Sequence, residues 1–123
     1  MSLIQVCGLC NILFGLFCVL ISSPLIGGNI GRNRYYGFRT REALASVDAW
    51  ERVNRYGAER RTTWGLVIAF LGGLCVATDA YAVYAVCRFA PLLAIIPSVQ
   101  TVVFSRRIRR EPETAVLPEG LKA

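Results

Sequence analysis

The 123-residue chain contains no histidine. That absence removes the usual general base, the Ser-His and Cys-His dyads, and the H-E-x-x-H metal motif. A P-loop and a G-x-G-x-x-G turn following a strand are missing as well, so the chain is not expected to be an enzyme. Five cysteines are present: Cys7, Cys10, Cys18, Cys75 and Cys87. Cys7-x-x-Cys10 has the spacing of a redox or metal pair, but neither a second pair nor a histidine completes a zinc ligand set. In apolar surroundings these cysteines read as small hydrophobic residues, and no metal or cofactor is expected. The sequence leaves the disulfide state of Cys7 and Cys10 open.

Charge is also absent from long stretches. No Lys or Arg precedes Arg32, so the first apolar run lacks the basic start of a cleaved signal peptide and reads as a retained span. Leu3 to Ile21 is 19 residues without a charge. As a helix it is roughly 28 Å long, close to the ~30 Å hydrocarbon core of a bilayer. Two further uncharged blocks run from Thr62 to Thr78 and from Phe89 to Ser105. A chain this short has too little polar surface to cover three all-round apolar helices in water. The expected fold is therefore an all-α integral membrane protein with three transmembrane helices: a membrane domain over residues 1–110 and a short polar tail, expected to be disordered, over 111–123.

What charge there is lies on one side. Eight arginines, from Arg32 to Arg61, sit between the first two spans, and Arg106, Arg107, Arg109, Arg110 and Lys122 follow the third. The segment read as joining spans two and three holds Arg88 alone. The positive-inside rule then puts the first loop and the C-terminus in the cytoplasm and the N-terminus outside. Basic residues beside a membrane bind anionic lipid headgroups, the expected partners here, and require no nucleic acid.

Within the spans, small residues mark where helix backbones approach, because packing replaces the hydrophobic effect in lipid. Gly8 and Gly15 share one face of the first helix, and Gly65, Ala69 and Gly73 form a small-x-x-x-small ladder in the second. These five serve either the three-helix bundle or a homo-oligomer, and the sequence does not set the oligomeric state. Asn11, Asp79, Pro97 and Gln100 are the notable polar or helix-breaking residues. Asp79 is expected at a helix end near water, and Pro97 is expected to kink the third helix.

The first loop holds the unusual chemistry. Pro24 is expected to stop the first helix, Thr40 to cap a short turn and Ser46 to cap the next helix. Val47, Trp50, Val53 and Tyr56 or Gly57 recur at helical spacing opposite Asp48, Glu51, Arg52, Arg55 and Glu59. An amphipathic helix of this kind, carrying a Trp and joined to a span, is expected to lie in the cytoplasmic interface and bend at Gly57.

At these residues the chain resembles the SdpI family. The resemblance rests on Pro24, Asn33-x-x-Tyr36-Gly37-x-Arg39-Thr40, Leu44, Trp50, Asn54-Arg55 and Gly57, and extends over roughly residues 10 to 107. Two departures are Val53, where the family usually has Ala, and a longer stretch from Pro24 to Asn33. The resemblance implies a bacterial plasma-membrane protein conferring immunity to a secreted, membrane-active killing peptide, with a role in signalling. Asn33, Tyr36, Gly37, Arg39, Thr40, Trp50, Asn54 and Arg55 are the candidate functional motif. The expected arrangement is a polar network in which Arg39 and Arg55 donate, Asn33 and Asn54 bridge, and Tyr36 and Trp50 pack against the bilayer. A toxin peptide or a membrane protein is the expected partner. Two other readings remain: an accessory subunit of a larger membrane complex, and a small transporter that depends on a buried Asp79.

Overall fold

The computed structural model describes residues 1–28, 31 and 36–110. Asn33 and the tail 111–123 lie outside the described residues. Helix α1 spans Leu3–Ile26, α2 Val47–Thr78, α3 Tyr81–Cys87 and α4 Ile95–Arg110, with 3-10 turns at Ala43–Ala45 and Ala90–Ala94. Among the described residues there is no strand. Three helical passes are long and apolar enough to cross a membrane: Leu3–Ile26, Val47–Thr78 and Tyr81–Arg110.

Helix α1 opens on a reciprocal cap. The Ser2 hydroxyl accepts from the Gln5 N–H at 3.2 Å, and the Gln5 side chain accepts from the Ser2 N–H at 3.1 Å. Pro24 does not stop this helix, which continues to Ile26. A proline in the last turn costs one donor but leaves the carbonyls ahead of it in helical register, and the chain leaves the helix at Gly27.

Helix α2 is 32 residues long, with the Ser46 hydroxyl accepting from the Ala49 N–H at 3.0 Å at its start. At about 1.5 Å per residue it measures roughly 48 Å, so its first third extends past a ~30 Å hydrocarbon layer. The segment expected to form a separate interfacial helix is instead the leading part of this one helix, unbroken through Gly57. The pattern of apolar residues was read correctly as helical; what it packs against is protein, as described below.

The third pass begins earlier than the uncharged block beginning at Phe89 indicates. Asp79 and Ala80 are the whole connection between α2 and α3, so Arg88 belongs to the third pass and not to a loop. Asp79 is the exposed cap of α2 in a left-handed conformation (φ 49°), and its carboxylate accepts from the Ser2 hydroxyl at 2.7 Å, tying the first two passes together at that end. The break in the third pass falls at Pro91, where no N–H is available for the Cys87 carbonyl four residues back. Buried Asn11 of α1 fills that vacancy, its amide donating to the Cys87 carbonyl at 2.7 Å. Pro97, the expected kink, instead lies in the first turn of α4, where a missing donor is tolerated. Asn11→Val should leave the Cys87 carbonyl unpaired in apolar surroundings and lower stability by about 1–2 kcal/mol, read as a drop in the detergent unfolding temperature.

Helices α1 and α2 form the most extensive contact, and glycine sets their distance. A Cβ on Gly8 would fall 2.6 Å from the Gly72 carbonyl, and one on Gly72 would fall 2.5 Å from the Gly8 carbonyl. Gly15 meets the Gly65 carbonyl and the Ala69 backbone in the same manner, one heptad along. Gly73 is off this seam, with nothing within 4 Å of an added Cβ, and Gly72 takes its place. Two heptad-spaced glycine pairs in antiparallel register thus make the close approach, with Ala69 between them.

Candidate functional site

At the end of the bundle where α1 finishes and α2 begins, residues 36–45 fold over the projecting start of α2. Asn54, 2% exposed, is the clamp. Its carbonyl oxygen accepts from the Phe38 N–H at 2.5 Å, and its amide donates to the Phe38 carbonyl at 3.2 Å and the Trp50 carbonyl at 3.0 Å. One side chain thereby serves both backbone groups of Phe38, as a neighbouring strand would. Gly37 makes the approach feasible. It holds φ at 104°, and a Cβ there would sit 2.5 Å from the Asn54 oxygen and 3.1 Å from the Trp50 ring.

Phe38 then lies flat on Gly57, whose missing side chain is the space its ring fills, with the Arg61 guanidinium 4.5 Å over the ring centroid. The expected bend at Gly57 is thus a packing site. Tyr36 reaches back to α1, its hydroxyl donating to the Ile21 carbonyl one turn before Pro24. Thr40 shares a 2.6 Å hydrogen bond with Ser105 of α4 and accepts from the Ala43 N–H at 3.2 Å, which starts the short turn. Glu42, its side chain mostly covered, approaches the exposed Arg109 at 3.9 Å, at the limit of an ion pair.

Beneath this cover lies a small apolar core of Ala43, Trp50 and Val53, with Phe38, Phe104 and Ile108 against it. Trp50 is 0% exposed, so it does not face the bilayer as expected; it is the centre of the cap. Tyr56 stacks on Phe104 at 4.1 Å between ring centroids, and the Trp64 indole N–H donates to Gln100 at 3.4 Å. Sequence reasoning missed Phe38, Ser105, Phe104 and Ile108. Phe38 falls at the position the motif leaves unspecified, and the other three come from the third pass, which no spacing within the loop could reveal.

The motif therefore divides in two. Tyr36, Gly37, Thr40, Trp50 and Asn54 are consumed in building the cap. Arg39 and Arg55 are exposed on its outside and make no hydrogen bond or ion pair among the described residues. This differs from the expected network, in which both arginines donated inside the cluster. Beside Arg55 a cavity of about 270 Å³ is lined by Leu25, Gly28, Asp48, Trp50, Glu51, Arg52 and Asn54, so its rim carries both signs of charge.

A helical, three-pass membrane protein whose first loop is locked over one end of the bundle is the class these features define. Residues 29–105 match the SdpI/YfhL protein family, and the chain belongs to that family. No curated protein and no solved structure matches the chain.

Proposed function

We propose that this protein is a resistance factor of the bacterial plasma membrane, protecting its host against a membrane-active killing peptide by binding and not by catalysis. Family membership supports an immunity-like membrane role. The observation that carries the reading further is the division of the motif. Five of its residues build the cap, and two exposed arginines on it make no hydrogen bond or ion pair among the described residues. An exposed guanidinium suits recognition of an anionic group on another molecule, because it is always charged and its planar donors match a carboxylate or phosphate two at a time.

In this reading the cap and the C-terminus face the cytoplasm and the N-terminus lies outside. The placement of Arg88 within the third pass supports that orientation, since the Asp79–Ala80 turn then carries no basic residue at all. A fluorescent protein fused after Ala123 should fluoresce, while alkaline phosphatase fused there should stay inactive; the reverse pattern would overturn the orientation. The resistance reading is tested by expressing the wild-type chain in a sensitive bacterium and challenging it with a panel of membrane-active peptides. Higher survival than the empty-vector control is the expected result. Equal survival across the panel would reject it in favour of the accessory-subunit reading, for which stable co-purification with one membrane partner is the readout.

A further inference from the structure

Arg88 is the one charged residue between Ala80 and Ser105, a stretch that otherwise reads as bilayer-spanning. It lies at the end of α3, seven residues past Tyr81, which places its Cα roughly 10 Å along the pass from that end. The crossing hydrogen bond agrees with this depth. Asn11, bonded to the carbonyl of adjacent Cys87, is eight residues into α1 from Leu3, roughly 12 Å from the same end. Arg88 is exposed on the outer surface of the bundle, among exposed Val86, Phe89 and Leu92.

A charged side chain costs about 2.5–3.5 kcal/mol at the centre of a span even on insertion scales, and part of that cost remains at the depth of Arg88. Among the described residues, no carboxylate is placed to offset that cost. Between Glu59 and Glu111 the sequence has Asp79 alone, and that residue is at the bundle end, bonded to Ser2. A second copy would bring no acid to this depth either, and would set arginine against arginine. A guanidinium can reach roughly 6 Å from its Cα toward an interface. Here it lies instead over the ring of Phe89, the next residue inward, with Cζ 4.8 Å from the centroid. With the hydrocarbon edge set at Tyr81, that reach falls roughly 4 Å short of the lipid phosphates, and using it would draw the guanidinium off the Phe89 ring.

The geometry points to a docking surface for a membrane-embedded helix of another protein that carries a carboxylate at the depth of Arg88. The apolar side chains around Arg88 would pack against that helix, and the guanidinium would form the ion pair inside the bilayer, where water does not compete for it. This inference stands whether or not the resistance reading does, because it concerns a different face and a different readout.

The test uses the full-length protein in phosphatidylcholine vesicles at pH 8. The probe is a fluorescent leucine-alanine membrane-spanning peptide with one Glu a third of the way through, compared with its Gln twin. Energy transfer to the labelled protein should show the Glu peptide associating about tenfold more tightly than the Gln peptide with wild type. Arg88→Gln should erase the difference. Equal association of the two peptides with wild type, or a preference that survives in Arg88→Gln, overturns the proposal. Loss of the preference on adding phosphatidylglycerol to the vesicles also overturns it, by showing that a lipid phosphate occupies the site.

Discussion

Asn54→Leu should unlatch the loop from α2. The substitution keeps the volume but removes the acceptor for the Phe38 N–H and the donor to the Phe38 and Trp50 carbonyls. The Trp50 carbonyl keeps its helical partner, but the Phe38 N–H and carbonyl are left unpaired at about 1–3 kcal/mol each, so the expected loss is about 2–6 kcal/mol. The loss should be local before it is global. Hydrogen exchange over residues 36–45 should accelerate by orders of magnitude while the exchange of α1 and the membrane part of α2 stays slow, since cap and bundle are held by different contacts. Asn54→Asp keeps the acceptor and loses the donor, and should fall between the two. Unchanged exchange at Phe38 in Asn54→Leu would show that something other than this side chain holds the loop.

The glycine seam carries the second large effect. Gly15→Val and Gly72→Val each place branched carbons into the backbone of the facing helix, where the nearest atoms are carbonyl oxygens and main-chain nitrogens that cannot rotate away. Overpacking a well-filled interior costs about 1–3 kcal/mol when side chains can adjust. Against rigid backbone the cost should exceed about 3 kcal/mol, because in lipid close packing is itself the main force joining α1 and α2. Gly73→Val is the matched control. An added Cβ there meets nothing within 4 Å, so unfolding in detergent should stay within about 0.5 kcal/mol of wild type. If Gly73→Val were as damaging as Gly72→Val, the register of the two helices would be wrong.

These two glycines also show how far the sequence could be read. A small-residue ladder in the second span was visible, but four-residue spacing from Gly65 and Ala69 leads to Gly73, whereas the helices approach at Gly72. The first helix already displayed a seven-residue glycine interval at Gly8 and Gly15, and an antiparallel partner with the same interval, Gly65 and Gly72, is what packs against it. Spacing within one helix cannot say which of two neighbouring glycines faces a partner whose own face has not been fixed.

The start of the third pass is hidden from hydropathy for a related reason. Counting uncharged residues from Phe89 treats Arg88 as a boundary, yet a lone arginine does not end a helix. The chain turns at Asp79 because the left-handed conformation there closes α2, a local backbone event with no hydropathy signal. Trp50 was legible as a residue on an apolar face, but interfacial tryptophans and buried ones share that pattern. Burial against Ala43, Val53, Phe104 and Ile108 depends on α4 and the 3-10 turn arriving from elsewhere in the chain. The spacing of the motif is legible in the sequence, but which of its described residues build the cap and which stay exposed required the hydrogen bonds.

That division is the central claim, and Arg39 tests it most directly. The measurement is survival under peptide challenge of cells expressing wild type or Arg39→Ala, at matched membrane levels and with hydrogen exchange of the cap confirmed to be unchanged. Arg39 is exposed and makes no hydrogen bond or ion pair among the described residues, so the variant should fold and insert as wild type does while losing protection. Full protection by Arg39→Ala would contradict the claim, because the motif would then be complete without the residue the cap exists to display.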